Sequence, residues 1–162
     1  MDRDEVMVRP AVVADVASLV DLRVANAEAH LLLDPEVYRI PERIAVARHF
    51  RAVLAAEPAG HALLVAQIVD RLVGMVEVVR NPQPPDHQIL RPDASAQVHT
   101  VVAQEARDRG VGSALLGAAE QWAAAHGIGR LSAGIHHRNV GAVRFYERHG
   151  YAGSGRSLTR QL

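Results

Sequence analysis

Residues 107–113, Arg107-Asp108-Arg109-Gly110-Val111-Gly112-Ser113, set two guanidinium groups beside two glycines at the mouth of an apolar helical run. The first N–H groups of a helix lack intrahelical partners, and the macrodipole adds partial positive charge there. Phosphate or pyrophosphate suits such an end. Glycine carries no Cβ to hold an anion away from the amides, and Arg107 and Arg109 can pair with phosphate. A tight turn with no ligand is the competing reading. A P-loop requires a lysine after its last glycine, and the chain has no lysine. A dinucleotide fingerprint requires a third glycine, where this run continues Ser113-Ala114-Leu115.

Composition narrows the remaining chemistry. The 162 residues carry no formal net charge and no cysteine, and 49% of them are hydrophobic. No basic excess points to nucleic acid, and no acidic tail to a solvating arm. Disulfides, cysteine-ligated metal and an acyl-cysteine intermediate are excluded. His136 and His137 are a poor metal pair, since adjacent extended residues point to opposite faces and no carboxylate stands at ligand spacing. The N-terminal residues form no apolar leader, and no stretch reaches the ~18 apolar residues of a membrane span. A cytoplasmic protein built as one domain over residues 1–162 is expected.

The elements that must position the turn follow from periodicity. Residues 6–9 read as a strand ended by Pro10, and residues 15–29 as a helix. Residues 31–41 hold Pro35 and Pro41 and read as a loop. A second helix starts near Pro41 and ends before Gly60. Residues 61–69 and 72–79 read as strands around a hairpin at Asp70-Arg71. Residues 81–93 contain four prolines and form a loop. A strand over 96–102 leads into the glycine turn and a helix over 110–126, stopped by Gly127. A strand over 131–135, a helix over 140–149 stopped by Gly150, and a last strand over 157–162 complete the order β-α-α-β-β-β-α-β-α-β. Short links between the middle strands imply antiparallel pairing, and the later β-α-β unit a parallel pair with a right-handed crossover.

The pattern R-x-x-G-x-G, with the apolar strand V-H-T-V-V before it and S-A-L-L after it, resembles the acetyl-CoA-binding motif of the GCN5-related N-acetyltransferases. A second signature of that family is matched by N-V-G-A-V-R-F-Y-E-R-H-G-Y, running from Asn139 to Tyr151. The resemblance implies a single-domain α/β (α+β) fold. Its mixed, mostly antiparallel sheet would have about 6–7 strands flanked by about four helices. It implies transfer of an acetyl group from acetyl-CoA, without metal, to a small-molecule amine or a protein amino group. A non-catalytic acyl-CoA sensor or regulatory module on the same fold is the alternative. Nucleic-acid and membrane partners are not implied.

The resemblance also distributes roles. The main-chain amides of Arg107, Asp108, Arg109, Gly110, Val111, Gly112 and Ser113 would hold the pyrophosphate. Thr100, Val101 and Val102 would pair their backbone with the pantetheine arm, which implies a splayed strand. Asn139 and Ala142 would meet the same arm, although Asn139 is equally suited to cap its helix. Tyr146 would protonate the departing thiolate, while Phe145 reads as core. With no cysteine, direct attack in a ternary complex is the simplest route, and a backbone N–H near Val102 would meet the oxyanion. For the base, Glu77, His99, His136, His137 and an ordered water chain stay open. The acceptor would lie against residues 25–41 and 81–93, with His30, Asp34, Glu36 and Tyr38 as candidate contacts. The short stretch after Gly150 leaves room for one strand or two very short ones, and a homodimer would cover the resulting edge.

Overall fold

The computed structural model describes residues 5–57 and 59–162. Strands β1 (Val6–Pro10), β2 (His61–Ile68), β3 (Arg71–Arg80), β4 (Ser95–Val102) and β5 (Arg130–Ser132) form one sheet in the order β1-β2-β3-β4-β5. The first four strands pair antiparallel, and β4 pairs parallel with β5. Helices α1 (Val16–Leu33) and α2 (Arg43–Ala55) cover one face, and α3 (Val111–Ala125) covers the other. Helix α4 (Val140–Arg148) follows β5 and packs its aromatic residues beside α3. The expected α/β architecture and element order hold up to α4.

The two faces follow from strand alternation. Leu63, Val65 and Met75 point to one side and bury with Leu19, Val20, Val46 and Phe50 of α1 and α2. Leu64, Val76, Val78 and Val98 point to the other and bury with Val111, Leu115, Leu116 and Ala119 of α3. Spacing of three to four residues on each helix produces these stripes. Truncating a side chain such as Leu115, which is fully buried, would cost about 2–5 kcal/mol.

Both helix stops lie where glycine marks them. Gly127 (φ 70°) and Gly150 (φ 85°) adopt the left-handed conformation after α3 and α4. The next residues close the ends, with Ile128 N–H donating to the Ala123 carbonyl at 2.9 Å and Tyr151 N–H to that of Tyr146 at 3.1 Å.

Three expectations are corrected. Helix α1 runs on to Leu33, because Leu31 and Leu32 continue a helical stretch that Pro35 ends. Strand β5 is three residues long rather than five. Residues 157–162 form no strand, so the sheet has five strands among the described residues instead of 6–7. Among the described residues no strand lies beyond β5, and a cavity of about 900 Å³ opens there between Leu131, Tyr146, Tyr151 and the chain after α4.

Candidate functional site

Strand β4 parts from its neighbour halfway along. Its ladder with β5 runs from Ser95↔Arg130 to Gln97↔Ser132 and stops. Its ladder with β3 continues to Gly74↔Val102. Residues 98–102 therefore keep one backbone edge with no strand beside it, and backbone groups require partners. The Ala103 N–H donates to the Val73 carbonyl of β3, so by strand alternation Val101 also turns its backbone groups to β3, while Thr100 and Val102 turn theirs to the free edge. A free edge of this kind can pair with another extended, amide-bearing chain.

The edge leads into the glycine turn. After a short 3-10 turn at Gln104–Ala106, the chain passes Arg107, Asp108 (φ 60°) and Arg109 to Gly110 (φ 78°), the N-cap of α3. The first amide of this region held by the helix is that of Ala114, which donates to the Gly110 carbonyl at 3.0 Å. The N–H groups of Val111, Gly112 and Ser113 are thus left to meet an anion. The two glycines serve different ends. A Cβ at Gly110 would meet nothing within 4 Å, so its requirement is the left-handed backbone. A Cβ at Gly112 would lie 3.0 Å from the Phe145 ring, so Gly112 lets α4 approach α3. His149, at the end of α4, closes the same corner with Nε2 2.9 Å from Ser113 Oγ.

Helix α4 begins at Asn139, whose side-chain oxygen accepts the Ala142 N–H at 3.2 Å. One face of α4 carries Tyr146 into the core, where its hydroxyl donates to Thr100 Oγ1 at 3.1 Å. The phenol thus stands at the free edge of β4. Burial pushes its pKa above the ordinary tyrosine value, and hydrogen bonding by Thr100 offsets part of that.

On the opposite face, His99 stands across the ladder from Glu77. Glu77 is 4% exposed and lies among Arg23, His49 and His61. One carboxylate oxygen pairs with Arg23 of α1, and the other accepts from His61 Nε2 at 2.8 Å, with His49 Nε2 at 3.4 Å. Burial alone would raise this carboxyl. The His61 hydrogen bond and the charges of Arg23, His61 and His49 outweigh it and hold the pKa at about 2. The pKa of His99 is lowered, chiefly by partial desolvation of its ring. The Glu77 charge opposes that shift, while Arg23 and His61 reinforce it.

The residues expected on the acceptor side gather at the far end of α1. His30 lies about two turns beyond Arg23 on the same helix. The rings of His30 and Tyr38 meet edge to face at 4.9 Å, and those of Tyr38 and His136 at 5.7 Å. His136 Nε2 lies 3.0 Å from Asp34 Oδ2, and His137 stacks on His136 at 4.5 Å. The Glu36 amide donates to Asp34 Oδ1 at 3.2 Å, and the Glu36 side chain stays in solvent. Asp34 is held below the ordinary carboxylate range: burial raises its pKa, but the His136 hydrogen bond, the Glu36 amide and the Arg138 charge lower it further. His30, Asp34 and Tyr38 therefore converge on His136, while Glu77 and His99 form a separate cluster.

Arg23, His49, His61 and Arg138 take part in these clusters without having been singled out in the sequence. Arg23 stands four residues after the buried Leu19, on the apolar face of α1, and a charge there was a usable signal. Among the described residues no group of three His, Cys, Asp or Glu is arranged to hold a metal ion. No helix among them is long and apolar enough to cross a membrane.

The acetyltransferase (GNAT) family model matches residues 26–151. No curated protein sequence matches the chain significantly. Solved structures resemble it in fold. A tetramutant of a Bacillus halodurans protein superposes with a TM-score of 0.83 at 20% identity, covering 96% of this chain and 99% of that one. A possible acetyltransferase from Clostridium difficile 630 gives 0.74 at 12% identity, with 97% of each chain covered. The aminoglycoside N-acetyltransferase AAC(6')-Iy, solved in complex with CoA, gives 0.73 at 15% identity over 98% of this chain and 95% of its own.

Proposed function

Because the chain belongs to the acetyltransferase (GNAT) family, we propose that it is an acetyl-CoA-dependent N-acetyltransferase whose single domain spans residues 1–162. The acceptor is a primary amine, on a small molecule or a protein. The observation that carries this reading is the free edge of β4 running into the α3 N-terminus with Tyr146 beside it. Acetyl-CoA supplies an activated thioester whose carbonyl the amine attacks and whose thiolate departs.

The chain's own residues divide the remaining work. Thr100 and Val102 hold the pantetheine arm along their backbone, and the amides of Val111, Gly112 and Ser113 bind the pyrophosphate, with Arg107 and Arg109 nearby. Asn139 fixes the start of α4, and so the reach of Tyr146. The Tyr146 phenol is kept protonated by its surroundings and gives its proton to the departing thiolate. The backbone N–H near Val102 donates to the developing oxyanion.

His99 is the proton acceptor for the amine. Its lowered pKa leaves the imidazole neutral near pH 7, and its face of β4 is opposite that of Thr100 and Tyr146. Glu77 suits this role less, because both its oxygens are engaged and a pKa of about 2 makes it a weak base. His136 is similarly engaged at both ring nitrogens.

Calorimetry with CoA and acetyl-CoA, followed by thiol release with a panel of amines, tests the reading. Binding of both ligands and amine-dependent release of CoA are expected. Absence of binding at millimolar concentration would overturn it, and binding without turnover would favour the sensor alternative.

A further inference from the structure

The β5–α4 connection is tied to the end of α1 by side chains about a hundred residues apart in the sequence. The Arg138 backbone N–H donates to His136 Nδ1 at 3.2 Å. A ring nitrogen that accepts carries no proton, so in the neutral ring the proton sits on Nε2 and is donated to Asp34 Oδ2 at 3.0 Å. Both nitrogens are committed, and the two side chains are 10% and 17% exposed. Arg138 adds a second tie, since Nη1 donates to the Leu33 carbonyl at 2.9 Å. That carbonyl ends α1, where the helix dipole favours a cation. Tyr38 packs its ring between His30 and His136.

The segment held this way is short and stiff. Pro35 and Pro41 limit its backbone, so its pose is set largely by where it is seated. None of these ties touches the glycine turn, the free edge of β4 or Tyr146.

We propose that His136 is a positioning residue that, through Asp34, seats the α1–α2 connection as one wall of the acceptor site and sets amine affinity independently of cofactor binding. The inference rests on the acetyltransferase reading for both the identity of the acceptor and the place of its site, while the seating itself stands on the contacts above. Two substitutions separate the two bonds of the ring. Gln in place of His136 keeps an N–H near the Nε2 position, facing Asp34. Asn keeps an acceptor near the Nδ1 position and loses the reach to Asp34.

The experiment uses the full chain with His136→Gln, His136→Asn, Asp34→Asn and Asp34→Leu. Hydrogen exchange is read on the free protein, and amine KM, kcat and CoA affinity are read separately. His136→Asn and Asp34→Leu are expected to lose protection at residues 34–42 and to raise amine KM about tenfold, the size of one hydrogen bond to a charged group. kcat and the Kd for CoA should stay within about threefold of wild type. His136→Gln and Asp34→Asn, which retain a donor–acceptor pair, should resemble wild type. Unchanged protection at residues 34–42 in Asp34→Leu would overturn the seating, as would CoA affinity falling in step with amine KM. If the wild-type protein turns over no amine, the acetyltransferase reading fails on that result, and exchange still decides the seating.

Discussion

Gly112 at the start of α3 faces the ring of Phe145 on α4, and a Cβ there would lie 3.0 Å from Cε2 and 3.2 Å from Cζ. The second glycine of the turn is therefore a packing residue as well as a source of an exposed amide. Gly112→Ala should push α4 outward and destabilise the fold by about 1–3 kcal/mol, as overpacking does. CoA affinity should fall with it, because α4 carries Asn139 and Tyr146. Gly112→Ala combined with Phe145→Leu should recover stability, measured by urea unfolding. If the single variant is as stable as wild type, the contact does not constrain the helices.

Tyr146 can be separated from its anchor. Tyr146→Phe should lower kcat by about 10²-fold or more, as loss of a general acid does, with the Kd for CoA changed little. Thr100→Val removes the partner that receives the phenol proton and leaves the phenol in place. It should cost about 1 kcal/mol of stability and far less activity. The raised phenol pKa also means that activity should show no Tyr146-linked loss up to about pH 10, the ordinary tyrosine value. An unchanged kcat in Tyr146→Phe would remove it from the mechanism.

What the sequence made legible was local. The glycine turn, the Asn139 cap and the stops at Gly127 and Gly150 each depend on a few consecutive residues, and each stands where its residues place it. The face of Glu77 did not have that character. Strand β3 carries a register shift opposite Ala66/Gln67, so that Val73 is an extra residue between the pairs Gln67↔Leu72 and Ala66↔Gly74. Without it Glu77 would stand opposite Ala62, on the α3 face. With it Glu77 stands opposite Leu63 and meets Arg23 and His61. The Asp34–His136 contact was hidden for another reason, since it joins two loops that only the assembled sheet brings together. The strand expected over residues 157–162 had suitable residues but finds no partner edge.

Glu77 gives the fold a predictable acid sensitivity. Its carboxyl titrates at about 2 in the folded chain against a reference of 4.5. A depressed folded pKa contributes stability that is complete above about pH 4.5 and lost as pH falls towards 2. The shift corresponds to an order of 3 kcal/mol. Glu77→Gln leaves Arg23, about a third exposed, without its counter-charge and should cost about 1–3 kcal/mol at pH 7. Its stability should then vary less than wild type between about pH 4.5 and 3. Urea midpoints across that range measure both, and parallel pH curves would dissociate Glu77 from the acid transition.

The proton acceptor has a signature of its own in the pH profile of kcat/KM. That profile reports the free enzyme, in which desolvation and the charges of Arg23 and His61 lower His99, with Glu77 opposing them. If His99 takes the amine proton, the acid limb should fall below about 6.5, the ordinary histidine value. His99→Gln should flatten that limb and reduce the rate about 10²-fold, while CoA still binds. Glu77→Gln should move the limb to lower pH instead of abolishing it, because the one charge that raises His99 is removed. The two variants thus make opposite claims on one curve. A limb lost in Glu77→Gln and kept in His99→Gln would transfer the role to the carboxylate. A limb kept unmoved in both would point to water as the acceptor.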